Sequence, residues 1–197
     1  MKRQIVTISG GGFSEEKNAY IDDYIVNLVK RDKPVKIAFI ATASNDAQGY
    51  IDKFYEAFKH QLPSHITIQD FELPNIQNIV NELDIIYVGG GNTKYMLNLW
   101  RETGFDQVLK QAYENGVVLA GISAGAMCWF ERCFSENEEF EGLGILKGSL
   151  CPHYNHQAYK MPYDKWISTL IEVSSYRLKD NESLYFKNEQ RIAMITT

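Results

Sequence analysis

The stretch Val117-Val118-Leu119-Ala120-Gly121-Ile122-Ser123-Ala124-Gly125 joins an apolar run to a set of small residues with a serine among them. The apolar run predicts a buried strand, and residues 126–130, Ala-Met-Cys-Trp-Phe, are compatible with a helix. A serine on the sharp turn between a strand and a helix holds its hydroxyl above the sheet, and small neighbours leave room for a carbonyl group. The pattern is typical of the nucleophile elbow of serine hydrolases. A serine that only caps the helix would give a similar pattern, so the other motifs must decide.

A glycine loop, Gly89-Gly90-Gly91-Asn92-Thr93, follows the strand predicted over residues 84–88. Glycines at the end of a strand let backbone N–H groups face a ligand, and Asn92 or Thr93 can cap the next helix. Beside an elbow serine, the loop would supply half of an oxyanion hole, with the N–H of Ala124 as the other half. Gly90, Asn92 and Thr93 are then expected to contact the substrate. The alternatives are a plain tight turn and a phosphate-binding loop. The sequence contains neither of the glycine motifs typical of phosphate-binding loops, G-x-x-x-x-G-K-[ST] and a G-x-G-x-x-G that opens a helix.

The segment 148–156, Gly-Ser-Leu-Cys-Pro-His-Tyr-Asn-His, carries two of the four histidines. A serine hydroxyl is a poor nucleophile until a base removes its proton, so a histidine must lie nearby. His153 follows a possible strand and a proline, and is the predicted base, with His156 as the alternate. Cys151, His153 and His156 could also belong to a metal site. No second Cys/His cluster completes a set of four ligands, so we expect no metal.

Taken together, residues 89–93, 121–126 and 151–154 resemble the motifs of the S51 peptidase family, which includes the aspartyl dipeptidases (peptidase E) and, more distantly, the cyanophycinases. The resemblance implies that Gly91 contributes to the oxyanion hole, that Ser123 is the nucleophile and that His153 is the base. It also implies a flavodoxin-like sheet related to class I glutamine amidotransferases, with serine in place of their cysteine. The implied substrates are small peptides, such as dipeptides that begin with aspartate.

The same resemblance implies an acidic residue, usually aspartate, between the serine and the histidine. Residues 133–139 read Cys-Phe-Ser-Glu-Asn-Glu-Glu and contain no aspartate. Similarity to related sequences places Glu136 in this position, whereas the distance from Ser123 would favour Glu138. The expected site is thus a Ser123-His153-Glu136 triad that forms an acyl-enzyme. An esterase of the α/β-hydrolase type and a non-catalytic metabolite-binding relative are the alternatives, and the missing aspartate supports the second.

Composition favours a single soluble enzyme domain over residues 1–197, long enough to bury roughly 70% of its unfolded surface. With 20 Lys and Arg against 25 Asp and Glu, the net charge is −5, and no basic cluster predicts a nucleic-acid partner. Three cysteines indicate reduced thiols and a cytoplasmic location. No apolar run is long enough for a signal peptide or a membrane span. We expect no cofactor, no membrane partner, and a monomer or homodimer.

Strand and helix patterns alternate along the chain. Apolar runs predict strands over residues 5–9, 35–42, 66–71, 84–88 and 117–120, and amphipathic segments between them predict helices. Residues 183–186 and 191–195 are predicted to form an antiparallel hairpin that finishes the sheet. The alternation predicts an α/β fold with a mostly parallel, doubly wound sheet and helices on both faces. Ligands of such folds bind at the carboxyl ends of the strands, where both the glycine loop and Ser123 lie.

Overall fold

A computed structural model describes residues 2–15, 19–30 and 32–196 of the chain. Strands and helices follow one another in this order: β1 (Gln4–Ile8), α1 (Ala19–Leu28), β2 (Lys36–Ile40), α2 (Gln48–Ala57), β3 (Leu62–Ile66), α3 (Ile76–Asn81), β4 (Ile85–Val88), α4 (Thr93–Thr103), α5 (Phe105–Glu114), β5 (Val118–Ile122), α6 (Ala124–Met127), β6 (Phe130–Ser135), β7 (Glu138–Glu141), β8 (Leu146–Cys151), α7 (Gln157–Ile167), β9 (Ser175–Arg177), β10 (Glu182–Lys187) and β11 (Gln190–Thr196). Short 3-10 turns occupy Gly12–Glu15, Thr42–Ser44 and Ile68–Glu72.

Seven strands form the main sheet in the order β11-β10-β1-β5-β4-β2-β3. The five strands from β1 to β3 in this order pair in parallel, whereas β10 is antiparallel to both of its neighbours. The order β3-β2-β4-β5 is that of the first four strands of a flavodoxin-like sheet, with β1 in the place of the fifth. One apolar cluster packs α1 and α2 on one face of the sheet, and a second packs α3, α4 and α5 on the other. The predicted α/β fold class and the closing hairpin are confirmed.

Strand direction decides which loops meet. Parallel strands all end at the same edge of the sheet, so the residues after β1, β4 and β5 lie together there. Because β10 runs antiparallel to β1, its first residue, Glu182, lies at that same edge. The segment that leads into β10 therefore also reaches the carboxyl edge of the parallel strands.

A second sheet of four strands, in the order β7-β6-β8-β9, lies beside the first. Of its four strands, β8 alone was expected, as the strand before His153. A two-residue turn at Glu136 and Asn137 joins β6 to β7, and both of these residues have the positive φ of a type I′ hairpin. This small sheet positions His153 through the end of β8 and carries the β6–β7 hairpin next to Ser123.

Two local predictions were wrong. The strand expected over residues 66–71 lies at Leu62–Ile66, and a 3-10 turn follows it because Thr67 and Asp70 form a capping box. Pro63 is accommodated in this strand because β3 is at the sheet's edge. The helix after Ser123 ends at Met127 rather than at residue 130, because Phe130 already belongs to β6. No helix in the described part of the chain is long and apolar enough to cross a membrane.

Candidate active site

Ser123 occupies a strained turn between β5 and α6, with φ 53° and ψ −110°. Left-handed φ values are uncommon for residues other than glycine. The turn is possible because its neighbours are small. A Cβ on Gly121 would lie 2.0 Å from the carbonyl oxygen of Gly125, and a Cβ on Gly125 would lie 2.2 Å from that of Val88. The segment thus has the backbone geometry of a nucleophile elbow.

His153 lies directly against this serine. Its Nε2 is 3.0 Å from Oγ of Ser123, within hydrogen-bond distance. The histidine follows β8 with a φ of 54°, and its backbone N–H donates to Oγ of Ser9 at 2.7 Å. The Ser9 hydroxyl in turn donates to the carbonyl of Leu178 at 3.0 Å. Ser9 therefore links the end of β1 to the histidine loop and to the segment before β10.

The other ring nitrogen of His153 contacts Asp180, not Glu136. The distance from Nδ1 to Oδ1 of Asp180 is 2.6 Å. This is a correction to the predicted Ser123-His153-Glu136 arrangement, because the position beside Nδ1 is filled from the segment before β10. Glu136 lies at the exposed turn of the β6–β7 hairpin, and Glu138 forms an ion pair with Lys94 at 2.6 Å.

Asp180 is held by three further hydrogen bonds. Its Oδ2 accepts from Nδ2 of Asn155 at 3.0 Å and lies 2.8 Å from Nε2 of His156, while its backbone N–H donates to Oδ1 of Asn155 at 2.9 Å. Burial by itself raises the pKa of the Asp180 carboxyl, but the hydrogen bonds from Asn155, His153 and His156 lower the pKa below its ordinary value overall. His156, the alternate base, thus contacts the acid and not the serine.

An ionised Asp180 decides the state of the imidazole. A carboxylate only accepts hydrogen bonds, so Nδ1 of His153 must carry the proton that it shares with Oδ1. Nε2 of the neutral ring is then an acceptor and faces the Ser123 hydroxyl, which donates to it. This is the arrangement that a general base requires before it takes a proton from serine.

Gly10, directly after Ser9, makes room for the histidine and the aspartate. A Cβ at this position would lie 2.5 Å from Oδ1 of Asp180 and 3.2 Å from Cε1 of His153. The Gly10-Gly11-Gly12 run follows the end of β1 and was not among the residues expected to form the site. The run could have signalled close packing, because it ends a parallel strand next to β5.

The glycine loop lies on the other side of Ser123. A Cβ on Gly90 would be 3.4 Å from Cβ of Ser123, and the N–H of Gly90 donates to the hydroxyl of Tyr50 at 3.3 Å. Gly91 has a φ of 140°, and a Cβ there would lie 2.1 Å from the carbonyl oxygen of Ala43. Ala124 is the first residue of α6, so its N–H has no acceptor within the helix. Gly91 and Ala124 line the same cavity as Ser123.

The remaining predicted contact residues differ in their positions. Thr93 is buried and lines the cavity. Asn92 is the N-cap of α4, where its side chain accepts from the backbone N–H of Tyr95 at 2.8 Å. Neither Asn92 nor Gly90 lines the cavity, although Gly90 lies next to Ser123.

A cavity of about 390 Å³ opens over Ser123. Its size is near the lower end of the range for small-molecule sites. The β6–β7 hairpin and α7 form its walls, which carry both apolar and polar side chains. The lining residues are Gly91, Thr93, Ser123, Ala124, Met127, Phe134, Ser135, Glu136, Asn137, Cys151, Pro152, Ala158, Tyr159, Pro162 and Tyr163.

Cys151, one of the three residues considered for a metal site, is a buried free thiol in the wall of this cavity. Burial raises its pKa to about 12, which disfavours the thiolate that metals bind. In residues 2–15, 19–30 and 32–196, no group of three or more His, Cys, Asp or Glu side chains is arranged to hold a metal ion.

Comparison with known proteins identifies the family. The model of peptidase family S51 matches residues 5–194. An uncharacterized peptidase, YgaJ, of Bacillus subtilis (strain 168) is 42% identical over 203 residues, which cover 99% of this chain and 88% of YgaJ.

Two further likenesses concern the fold. A crystal structure from Listeria monocytogenes EGD-e, named as a candidate peptidase E, superposes with a TM-score of 0.77 at 20% identity, and the match covers 100% of both chains. Subunit HisH of imidazole glycerol phosphate synthase from Lactococcus lactis subsp. lactis (strain IL1403) is 28% identical over 105 residues, 52% of this chain and 50% of HisH. The expected relation of the fold to glutamine amidotransferases is thus confirmed. The chain belongs to peptidase family S51, and it is a peptidase.

Proposed function

We propose that this peptidase cleaves small peptides with a Ser123-His153-Asp180 triad. The observation that carries the proposal is the continuous hydrogen-bonded chain from Oγ of Ser123 through both ring nitrogens of His153 to Oδ1 of Asp180. His153 takes the serine proton as Oγ attacks the peptide carbonyl, and then returns it to the leaving amine. The N–H groups of Gly91 and Ala124 stabilise the oxyanion, and water releases the acyl-enzyme.

The size of the cavity supports a substrate of dipeptide scale. About 390 Å³ bounded by the β6–β7 hairpin and α7 leaves room for a short peptide rather than for a folded protein segment. A non-catalytic role was favoured only by the lack of an aspartate between Ser123 and His153. Asp180 removes that reason, since it supplies the acid from a later part of the chain.

The activated serine gives the test. We expect a fluorophosphonate probe to label wild-type protein at Ser123, and we expect Ser123→Ala to lose labelling and about a millionfold in kcat on the best peptide found, with an unchanged melting temperature. Intact mass and peptide mapping identify the labelled residue. Retention of most wild-type activity by Ser123→Ala would exclude the serine mechanism.

A further inference from the structure

The β6–β7 hairpin carries three glutamates near the cavity, and they differ in their partners. Glu138 pairs with Lys94 at 2.6 Å. Glu139 pairs with Arg132 at 2.6 Å and also accepts from the indole N–H of Trp166 at 2.9 Å. Glu136, at the turn, forms no ion pair or side-chain hydrogen bond with any described residue, and it is the one of the three that lines the cavity over Ser123.

The cavity contains this carboxylate and no cation to balance it. Among its lining residues, all within the described part of the chain, Glu136 is the one with a charged side chain. Of the cations that contact the hairpin, Lys94 and Arg132 pair with the other two glutamates. Arg101 donates to the backbone carbonyls of Glu141 and Gly142, and it does not line the cavity. Arg177 lies behind the cavity wall against the ring of Tyr163, and it pairs with Asp164 at 3.2 Å.

The charge and the lining together select a kind of substrate. An unpaired carboxylate at the edge of a small cavity attracts a cationic group of the ligand. A peptide with a free amino terminus carries an α-ammonium group at neutral pH, because the ordinary pKa of that group is about 8. The apolar side chains of Met127, Phe134 and Pro162 favour an apolar substrate side chain. A substrate carboxylate would meet Glu136 with like charge and would find no lining cation.

We propose that Glu136 binds the α-ammonium group of the substrate, and that the enzyme therefore prefers short peptides with a free amino terminus and an apolar first residue over those that begin with aspartate. The proposal rests on the proposed function, because it concerns the part of the same site that binds the substrate residue whose carbonyl Ser123 attacks. In this role Glu136 is a specificity residue, and its removal weakens binding without disturbing the triad.

Four p-nitroanilides test the proposal: those of leucine, N-acetyl-leucine, aspartate and Nα-acetyl-lysine. For wild-type protein we expect leucine to exceed N-acetyl-leucine and aspartate about 10- to 100-fold in kcat/KM, as a charge-assisted hydrogen bond would give. Glu136→Gln should remove most of the difference between free and acetylated leucine, mainly through KM. Glu138→Gln, on the same hairpin but outside the cavity lining, is the matched control and should keep the difference.

Several outcomes would overturn the proposal. Equal kcat/KM for free and acetylated leucine, a preference for aspartate, or an unchanged preference in Glu136→Gln would each exclude the ammonium contact. Preferential cleavage of Nα-acetyl-lysine that depends on Glu136 would assign the carboxylate to a lysine side chain instead. Because Ser123→Ala and the fluorophosphonate label report on the triad alone, the proposal on Glu136 can fail while the serine mechanism stands.

Discussion

At the scale of single residues, the lack of a side chain on Gly10 matters as much as the presence of the reacting side chains. Gly10 lies against both His153 and Asp180, and a methyl group in its place would overlap Oδ1 of Asp180. The aspartate would have to move by several tenths of an ångström, which disturbs its 2.6 Å contact with Nδ1. Misplacements of this order at a reacting centre are costly.

We therefore expect Gly10→Ala to lower kcat by about 100-fold while the protein remains folded. The matched control is Gly49→Ala in α2, where an added Cβ would meet nothing within 4 Å and should leave kcat unchanged. Steady-state kinetics and circular dichroism on both variants provide the measurement. A Gly10→Ala variant with wild-type kcat would show that the pair tolerates displacement.

At the scale of elements, the acid that orients His153 comes from the segment between β9 and β10. Asp180→Asn keeps the shape of the side chain, but its amide group can donate to Nδ1 and so favour the wrong tautomer of the ring. We expect a loss of about ten-thousandfold in kcat with little change in KM. Glu136→Gln should instead retain kcat, so parallel kinetics on the two variants separate the two carboxylates. Equal losses of kcat in both would contradict the assignment of Asp180.

The elements also explain what the sequence could predict. Ser123, His153 and the glycine loop carry local signals, because each stands beside an apolar strand and among small or stiff residues. Asp180 has no such signal, since it lies 27 residues after His153 in a polar stretch. It could have been found by topology: a closing strand antiparallel to β1 must begin at the edge where Ser123 lies. The short strands β6, β7 and β9 gave no clear alternation, so the second sheet was missed.

At the scale of the whole molecule, a buried carboxyl far from the triad makes stability depend on pH. Asp22 of α1 is buried against the sheet, where Oδ1 accepts from the hydroxyl of Tyr87 at 3.4 Å. Burial raises its pKa to about 7, against an ordinary value near 3.8. The folded protein therefore holds this proton more tightly than the unfolded chain. The resulting stability is fully present below about pH 4 and is lost as the pH rises through 7.

We expect Asp22→Asn to remove the fall in stability that the wild-type protein shows as the pH rises through 7. Relative to the variant, the wild-type free energy of unfolding should fall by up to about 4 kcal/mol between pH 4 and pH 8, since each pKa unit corresponds to about 1.4 kcal/mol. Urea unfolding at several pH values measures the difference. Asp52→Asn, which changes an exposed carboxylate of α2 that does not act on Asp22, should keep the wild-type dependence. Parallel curves for wild type and Asp22→Asn would rule out Asp22 as the source.

The order in which the chain passes through its active site has a consequence for its synthesis. Ser123 and His153 leave the ribosome before Asp180, and Asp180 reaches the histidine only when β10 pairs with β1. A growing chain thus carries a serine and a base whose ring nothing yet orients. We therefore expect proteolytic activity to arise only after β10 has been translated and has paired with β1.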